Sequence, residues 1–169
     1  YMDVYRNRVI DESIDLMQVT ASEKQIETFA VQYGDVLFTP SSETPDDIGH
    51  SAVVKIHADK TLFSYHLVRL RFKHEMDIDF KAYVFQSPYL LREFSKRATG
   101  VTRYTLSLSD FQEASIQIPK DLNEQKAIAN LLMRGDQEIQ LLEQEIAQLQ
   151  LQRKGLMQRL LTGGIHMQV

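Results

Sequence analysis

From Asp121 to Leu161 the chain contains no Pro, and apolar residues recur at alternating steps of three and four. Written as a heptad, the a positions are Gln125, Leu132, Ile139, Ile146, Arg153 and Leu160, and the d positions Ile128, Gly135, Leu142, Leu149 and Leu156. Eight of these eleven are apolar, which is the period of a coiled-coil seam, and the outer faces are rich in Gln and Glu. Asp121, with Glu124 three residues on, supplies capping-box chemistry at the start, and Thr162-Gly163-Gly164 ends the run. At 1.5 Å per residue, about 40 residues make a rod of roughly 60 Å. A rod that long cannot bury a one-sided seam against about 120 preceding residues, and an isolated helix has little stability without a packed face. The spacing therefore predicts a helix that pairs with another, from a second copy or a different chain, through Ile128, Leu132, Ile139, Leu142, Ile146, Leu149, Leu156 and Leu160. A helix folded back over its own domain is the alternative. Gln125, Gly135 and Arg153 within the seam help to fix register or orientation, at some cost in stability.

The first 120 residues read as mixed α and β. Gly34–Thr39 is a short β-prone run opened by a turn pair, and Pro40–Gly49 is a loop by its Pro, Ser, Asp and Gly content. Ala52–Ile56 and Thr61–Val68 have strand composition, with a turn expected at His57–Lys60 between them. Asp79–Thr99 has helical spacing: Phe80, Tyr83 and Val84 share a face, and Pro88 suits the first turn of a second helix continued by Leu90, Leu91 and Phe94. Gly100 stops that helix, and Val101–Leu108 and Ser115–Ile118 are the last expected strands. The fold class is α+β: a mixed domain over 1–120, a long helix over 121–162 and a tail over 163–169.

Cys is absent, which excludes disulfide scaffolds, Cys-ligated zinc and thiol catalysis. No apolar run approaches the roughly 20 residues of a membrane-spanning helix and no secretory h-region opens the chain, so a cytoplasmic setting with no membrane partner is expected. The net charge of −4 argues against nucleic acid until its distribution is read. Residues 1–54 carry three basic and ten acidic side chains, residues 55–103 ten and five, and residues 104–169 six and eight. A basic middle third in an acidic chain is a local footprint.

Enzyme motifs are missing. There is no G-x-G, no Walker A sequence and no G-x-S-x-G. Ser87-Pro88-Tyr89 lacks the second Pro of an amino-methyltransferase motif, and Val53 stands where a nuclease site with Lys55 needs a carboxylate. His57, His66 and His74 have no fixed carboxylate partner and read as ordinary surface or half-buried histidines, while Glu75, Asp77 and Asp79 read as a solvated turn. The basic region does carry interleaved aromatics: Arg69, Arg71, Phe72, Lys73, His74, then Arg92, Phe94, Lys96, Arg97, then Arg103, Tyr104. Arg and Lys neutralise phosphates, and Arg also reads guanine edges. Thr99-Gly100-Val101-Thr102-Arg103 offers close backbone approach at Gly100 beside two hydroxyls and a guanidinium. Candidate DNA contacts are Ser41, Ser42, Arg71, Lys73, Arg97, Thr99, Thr102 and Arg103; an ordinary solvated helix face over an aromatic core is the bland alternative. No catalytic or metal-ligating set is expected.

Two stretches resemble a known family. Leu122-Asn123-Glu124-Gln125-Lys126-Ala127-Ile128-Ala129, running through Asp136 and Ile139 to Lys154-Gly155-Leu156-Met157-Gln158-Arg159-Leu160-Leu161-Thr162-Gly163, resembles the conserved-region helix of type I restriction-modification specificity (S) subunits. Gly34–Thr39 with the Ser41–Gly49 loop, Ala98–Arg103, Leu106–Phe111 and Ile116–Pro119 look like the target-recognition domain of the same subunits. The resemblance implies a protein without catalytic activity or cofactor of its own that reads half of a split target in double-stranded DNA. It also implies conserved helices that pair antiparallel as a spacer, modification (methyltransferase) subunits that carry S-adenosylmethionine, and a restriction subunit as a further partner. A full S subunit has two recognition domains and two conserved regions, whereas one of each is present here. The family's recognition domain usually begins before a stretch like Tyr1–Tyr5, so a half-subunit with an N-terminal piece missing is expected. An assembly module that binds other S or modification subunits without reading DNA is the alternative.

Overall fold

The computed structural model describes residues 1–57 and 61–163. Its elements, in order, are α1 (Met2–Arg6), β1 (Val9–Ile10), α2 (Glu23–Phe29), β2 (Val36–Phe38), β3 (Ser41–Ser42), a 3-10 turn (Pro45–Asp47), β4 (Ser51–Val54), β5 (Val68–Leu70), α3 (Ile78–Val84), α4 (Pro88–Arg97), β6 (Tyr104–Thr105), α5 (Leu108–Glu113) and α6 (Leu122–Leu161). This is mixed α and β content followed by one long helix. Two compact units are distinguished, Tyr1–Ala129 and the chain from Asn130 onward.

The first unit is built on a four-stranded sheet in the order β1-β4-β2-β5, with β1 parallel to β4 and the other pairs antiparallel. β2 and β4 are buried along their whole length, and apolar but for Ser51, because each face of the sheet is covered. Val36, Phe38 and Val53 enter one core with Ala82, Phe85, Leu90 and Phe94, while Leu37, Ala52 and Val54 enter another with Val4, Ile10 and Leu67. That division is the period-2 alternation of strand side chains. A second, two-stranded sheet pairs β3 with β6.

Local chemistry explains where the helices start. Ser22 and Gln25 form a capping box at α2, Asp77 accepts the Phe80 N–H at α3, Ser87 caps α4 with Pro88 in its first turn, and Ser107 and Asp110 form a capping box at α5. At α6 the Asp121 carboxylate accepts the Asn123 N–H at 2.9 Å.

The structure departs from the sequence expectations in five places. Asp77 and Asp79 are not a solvated turn, since Asp77 caps α3 and Asp79 pairs with Lys55. The strand expected at Thr61–Val68 lies later, at Val68–Leu70, because Ser64–Leu67 closes a turn in which the Leu67 N–H bonds the Ser64 carbonyl. From the earlier stretch Leu62 alone bridges, to Ala30. Of Val101–Leu108, Tyr104 and Thr105 are strand and Leu108 opens α5 behind its Ser107 cap; Ser115–Ile118 forms no strand, and Ile116 packs on the core. The Pro40–Gly49 loop holds β3, which needed a partner 62 residues away to become a strand. Ala58, Asp59 and Lys60 of the expected turn, and the tail from Gly164, lie outside the described residues.

In α6 the polar seam residue Gln125 is buried within the first unit rather than held for a partner helix. Its amide donates to the Pro119 carbonyl at 2.8 Å and its oxygen accepts the Asp77 N–H at 2.9 Å. Ile128 is half-buried. From Leu132 onward no apolar seam side chain is buried: Leu132, Ile139, Leu142, Ile146, Leu149, Leu156 and Leu160 are 39–56% exposed. No described helix is long and apolar enough to cross a membrane.

Candidate nucleic-acid interface

The short β3–β6 ribbon collects most of the polar candidates. Ser41 pairs with Thr105 and Ser42 with Tyr104. Thr99 extends the ribbon through reciprocal bonds with Thr105, at 3.1 and 2.9 Å, so that Gly100–Tyr104 forms a closed loop. The Arg103 guanidinium donates to the Ser41 hydroxyl at 3.2 Å. Gly100 makes the loop possible: its φ is +147°, and a Cβ there would collide with the Arg103 carbonyl oxygen. Thr99, Thr102 and Arg103 all face solvent.

The ribbon is held from behind. The Tyr1 hydroxyl donates to the Ser41 carbonyl, and the Leu106 N–H donates to the Pro40 carbonyl at 2.8 Å. Below the loop that follows β3, Asp47 accepts from Tyr5 at 2.8 Å and lies 2.8 Å from His50 Nε2, while Ser95 donates to Asp46 at 2.8 Å. The hydrogen bond and the charge of Asp47 push the Tyr5 phenol above its ordinary value. Gly49, at φ +80°, lies so close to the Phe94 ring that a Cβ would not fit. These contacts fix the Ser41–His50 segment against α1 and α4.

Arg71 and Lys73 are not part of this cluster. β5 runs antiparallel to β2, so Arg71 follows the residue paired with Val36 and meets Asp35, at the end of β2 away from Ser41. Ser41 lies six residue steps on from Asp35, a span of up to about 20 Å. Arg71 grips Asp35 with two bonds, at 2.8 and 2.6 Å, and Asp35 is 2% exposed. That carboxylate raises the Arg71 pKa. Beside it Lys81 is buried, donates to the Gly34 carbonyl at 3.0 Å and sits 4.7 Å from the centre of the Phe72 ring. Burial lowers the Lys81 pKa, against the pull of Asp35 and Asp77.

The cations of the basic middle third are therefore mostly paired within the fold. Of its ten cations, Lys55 pairs with Asp79, Arg69 bonds the Ala30 carbonyl and covers Phe63, Arg71 and Lys81 surround Asp35, and Lys96 and Arg97 meet Glu93, with Arg97 also 3.4 Å from Glu113. The Arg97 Nε is buried without a hydrogen-bond partner. Among the described residues Lys73, Arg92 and Arg103 have no ion pair, and Lys60 lies outside them. Composition counted all ten alike, because a pairing partner distant in sequence leaves no local mark. No group of three or more His, Asp or Glu among the described residues is placed to hold a metal ion.

A polar ribbon with an ordered Thr/Gly/Arg loop, followed by a helix with an apolar seam, is the context in which the family comparison decides. The model of the type I restriction modification DNA specificity domain matches residues 3–151. The chain belongs to that family. The match takes in the ribbon, both cores and most of α6. A specificity domain recognises DNA and is not itself catalytic, and the family is one whose members associate with other restriction-modification subunits. No curated protein matches the sequence at a significant level.

Sequence reading of this specificity domain missed the roles of Tyr1 and Tyr5, for which a lone tyrosine carries no signal. It also missed α2 and α5. The Ser22-x-x-Gln25 spacing was a usable signal for the first of these.

Proposed function

We propose that this specificity domain reads one half of a split duplex-DNA target through the β3–β6 ribbon. On this reading it works as a pair of copies joined along α6 and docks modification subunits that carry S-adenosylmethionine, with a restriction subunit as a further partner. One observation carries the reading: in a chain of this family, Ser41, Ser42, Thr99, Thr102 and Arg103 lie on one small ribbon whose loop is rigidly closed. A two-stranded ribbon is narrow enough for the major groove, where base edges differ most. Arg103, without an ion pair, is the guanine-reading candidate; Lys73 and Arg92, also without ion pairs, are the candidates for phosphate contact, which supplies most of the affinity. Arg71 belongs to the fold on this reading, and Arg97 contributes to DNA contact only if it leaves Glu93 or Glu113.

Pairing is supported by the exposed seam of α6. Seven Leu and Ile side chains at coiled-coil spacing gain several kcal/mol together when covered. A two-fold pair carries two identical reading domains, so its target is a split palindrome.

Sedimentation of the full chain, with and without a pool of random-sequence duplexes at two salt concentrations, tests the proposal. A dimer whose DNA binding weakens steeply with salt supports it, and selection from the pool then yields a split palindrome. A dimer indifferent to DNA at low salt indicates an assembly module instead. A monomer refutes the pairing, and a non-palindromic selected site refutes the two-fold geometry.

A further inference from the structure

At 93% exposure, Val101 is the most exposed large apolar side chain among the described residues, and it belongs to neither core. A single exposed Val is unremarkable on a loose surface. Here the surroundings are ordered. The loop is closed on both sides by the Thr99–Thr105 bonds, and its turn is set by Gly100 against the Arg103 carbonyl. Tyr104 is paired with Ser42, and Arg103 is tied to Ser41. Val itself is stiff at χ1. The fold thus presents two methyl groups on a closed loop, two residues after Thr99, next to Thr102 in the chain and two residues before Arg103.

We propose that Val101 is a specificity-determining residue that packs against the C5-methyl group of a pyrimidine in the major groove. The inference rests on the reading of the ribbon as the DNA-reading element. The flanking groups supply hydrogen bonds to base edges or phosphates, but Val101 has no polar atom and has only an apolar partner to gain. On the floor of the major groove that partner is the methyl of thymine, or of 5-methylcytosine, which carries the same group. Side chains that wedge between base steps from the minor groove are longer or flatter, such as Phe, Leu, Ile, Met or Pro, and a short β-branched Val has little reach there.

The test uses the full chain and the duplex selected by it from a random pool. Each thymine of the half-site is replaced in turn by deoxyuridine, which removes one methyl and nothing else, and each cytosine by 5-methylcytosine. The expected result is one position at which loss of a methyl weakens binding about three- to fivefold, the worth of a single buried methyl. A thymine position identifies thymine as the source; a cytosine that gains by the same factor when methylated identifies 5-methylcytosine. Val101→Ser removes the dependence on that methyl, and Val101→Ile retains it; both variants melt like the parent, since the side chain is exposed. If the chain selects a defined sequence but every methyl substitution is neutral, or if Val101→Ser keeps the same penalty, the role of Val101 is overturned while ribbon reading stands. If no duplex is bound selectively, both fall together.

Discussion

Gln125 and Ile139 occupy the same heptad position of one helix, two heptads apart, and their environments are the reverse of their chemistry. The polar Gln125 is buried and bonds both the Asp77 N–H and the Pro119 carbonyl. The apolar Ile139 is 56% exposed. The first two turns of α6 belong to the compact unit that ends at Ala129, where buried polar groups find partners at fixed distances. Beyond it the helix satisfies its backbone and leaves its seam uncovered. Burial in this chain is thus decided by what a position packs against, and the periodicity of α6 shows only which side chains would share a face.

The comparison can be broken most forcefully in the seam. Replacing Ile139 and Ile146 together with Lys is expected to weaken self-association at least about 100-fold, because charge in an apolar seam must be desolvated. Melting of the compact unit should stay unchanged. Sedimentation equilibrium reads the first effect and circular dichroism the second; an unchanged oligomeric state would return the seam to ordinary surface.

Within the compact unit, Arg71→Met leaves the buried Asp35 without its two-bond partner and should cost about 3 kcal/mol in denaturant unfolding, partly offset by nearby Lys81. Arg103→Met should leave stability within about 0.5 kcal/mol and act on DNA binding instead. Equal destabilisation by the two substitutions would contradict the division between a structural and a reading arginine.

A smaller effect is expected at Gln125. Gln125→Ala orphans the Asp77 N–H and the Pro119 carbonyl, and about 2 kcal/mol should be lost in the same assay, with no change in oligomeric state. A shift in oligomeric state instead would make Gln125 a seam residue after all.

The smallest effect separates the glycines. Gly155→Ala in exposed α6 should raise helix stability by about 0.5–1 kcal/mol, since nothing lies within 4 Å of the added Cβ. Gly100→Ala should do the opposite, through its positive φ and the Arg103 carbonyl. Thermal melts of the two variants moving in opposite directions would confirm that one glycine is required and the other incidental.

Much of this was legible from local pattern. The α6 helix, the pair α3 and α4 broken at Pro88, and the β-prone run ending in Phe38 follow from spacing and capping residues that act within a few positions. The Thr99–Arg103 loop was readable as a close-approach turn because Gly100 interrupts a polar stretch. The β3–β6 pairing was not: Ser41 and Ser42 have no strand character until Tyr104 and Thr105 arrive beside them. Nor was the fate of the cations. Lys55, Arg71 and Lys81 look like a basic patch in the sequence and serve as internal ties in the fold, whereas Arg103 has no ion pair.

The sequence by itself determined the helices α3, α4 and α6, which of their side chains share a face and which family the motifs resemble, since helix periodicity and caps depend on neighbours within about four residues. Only the tertiary structure decided which charges are paired, which short segments become strands and which polar residues are buried. Those outcomes depend on partners tens of residues away, such as Asp35 for Arg71 and Tyr104 for Ser42, whose proximity exists only once the chain has folded.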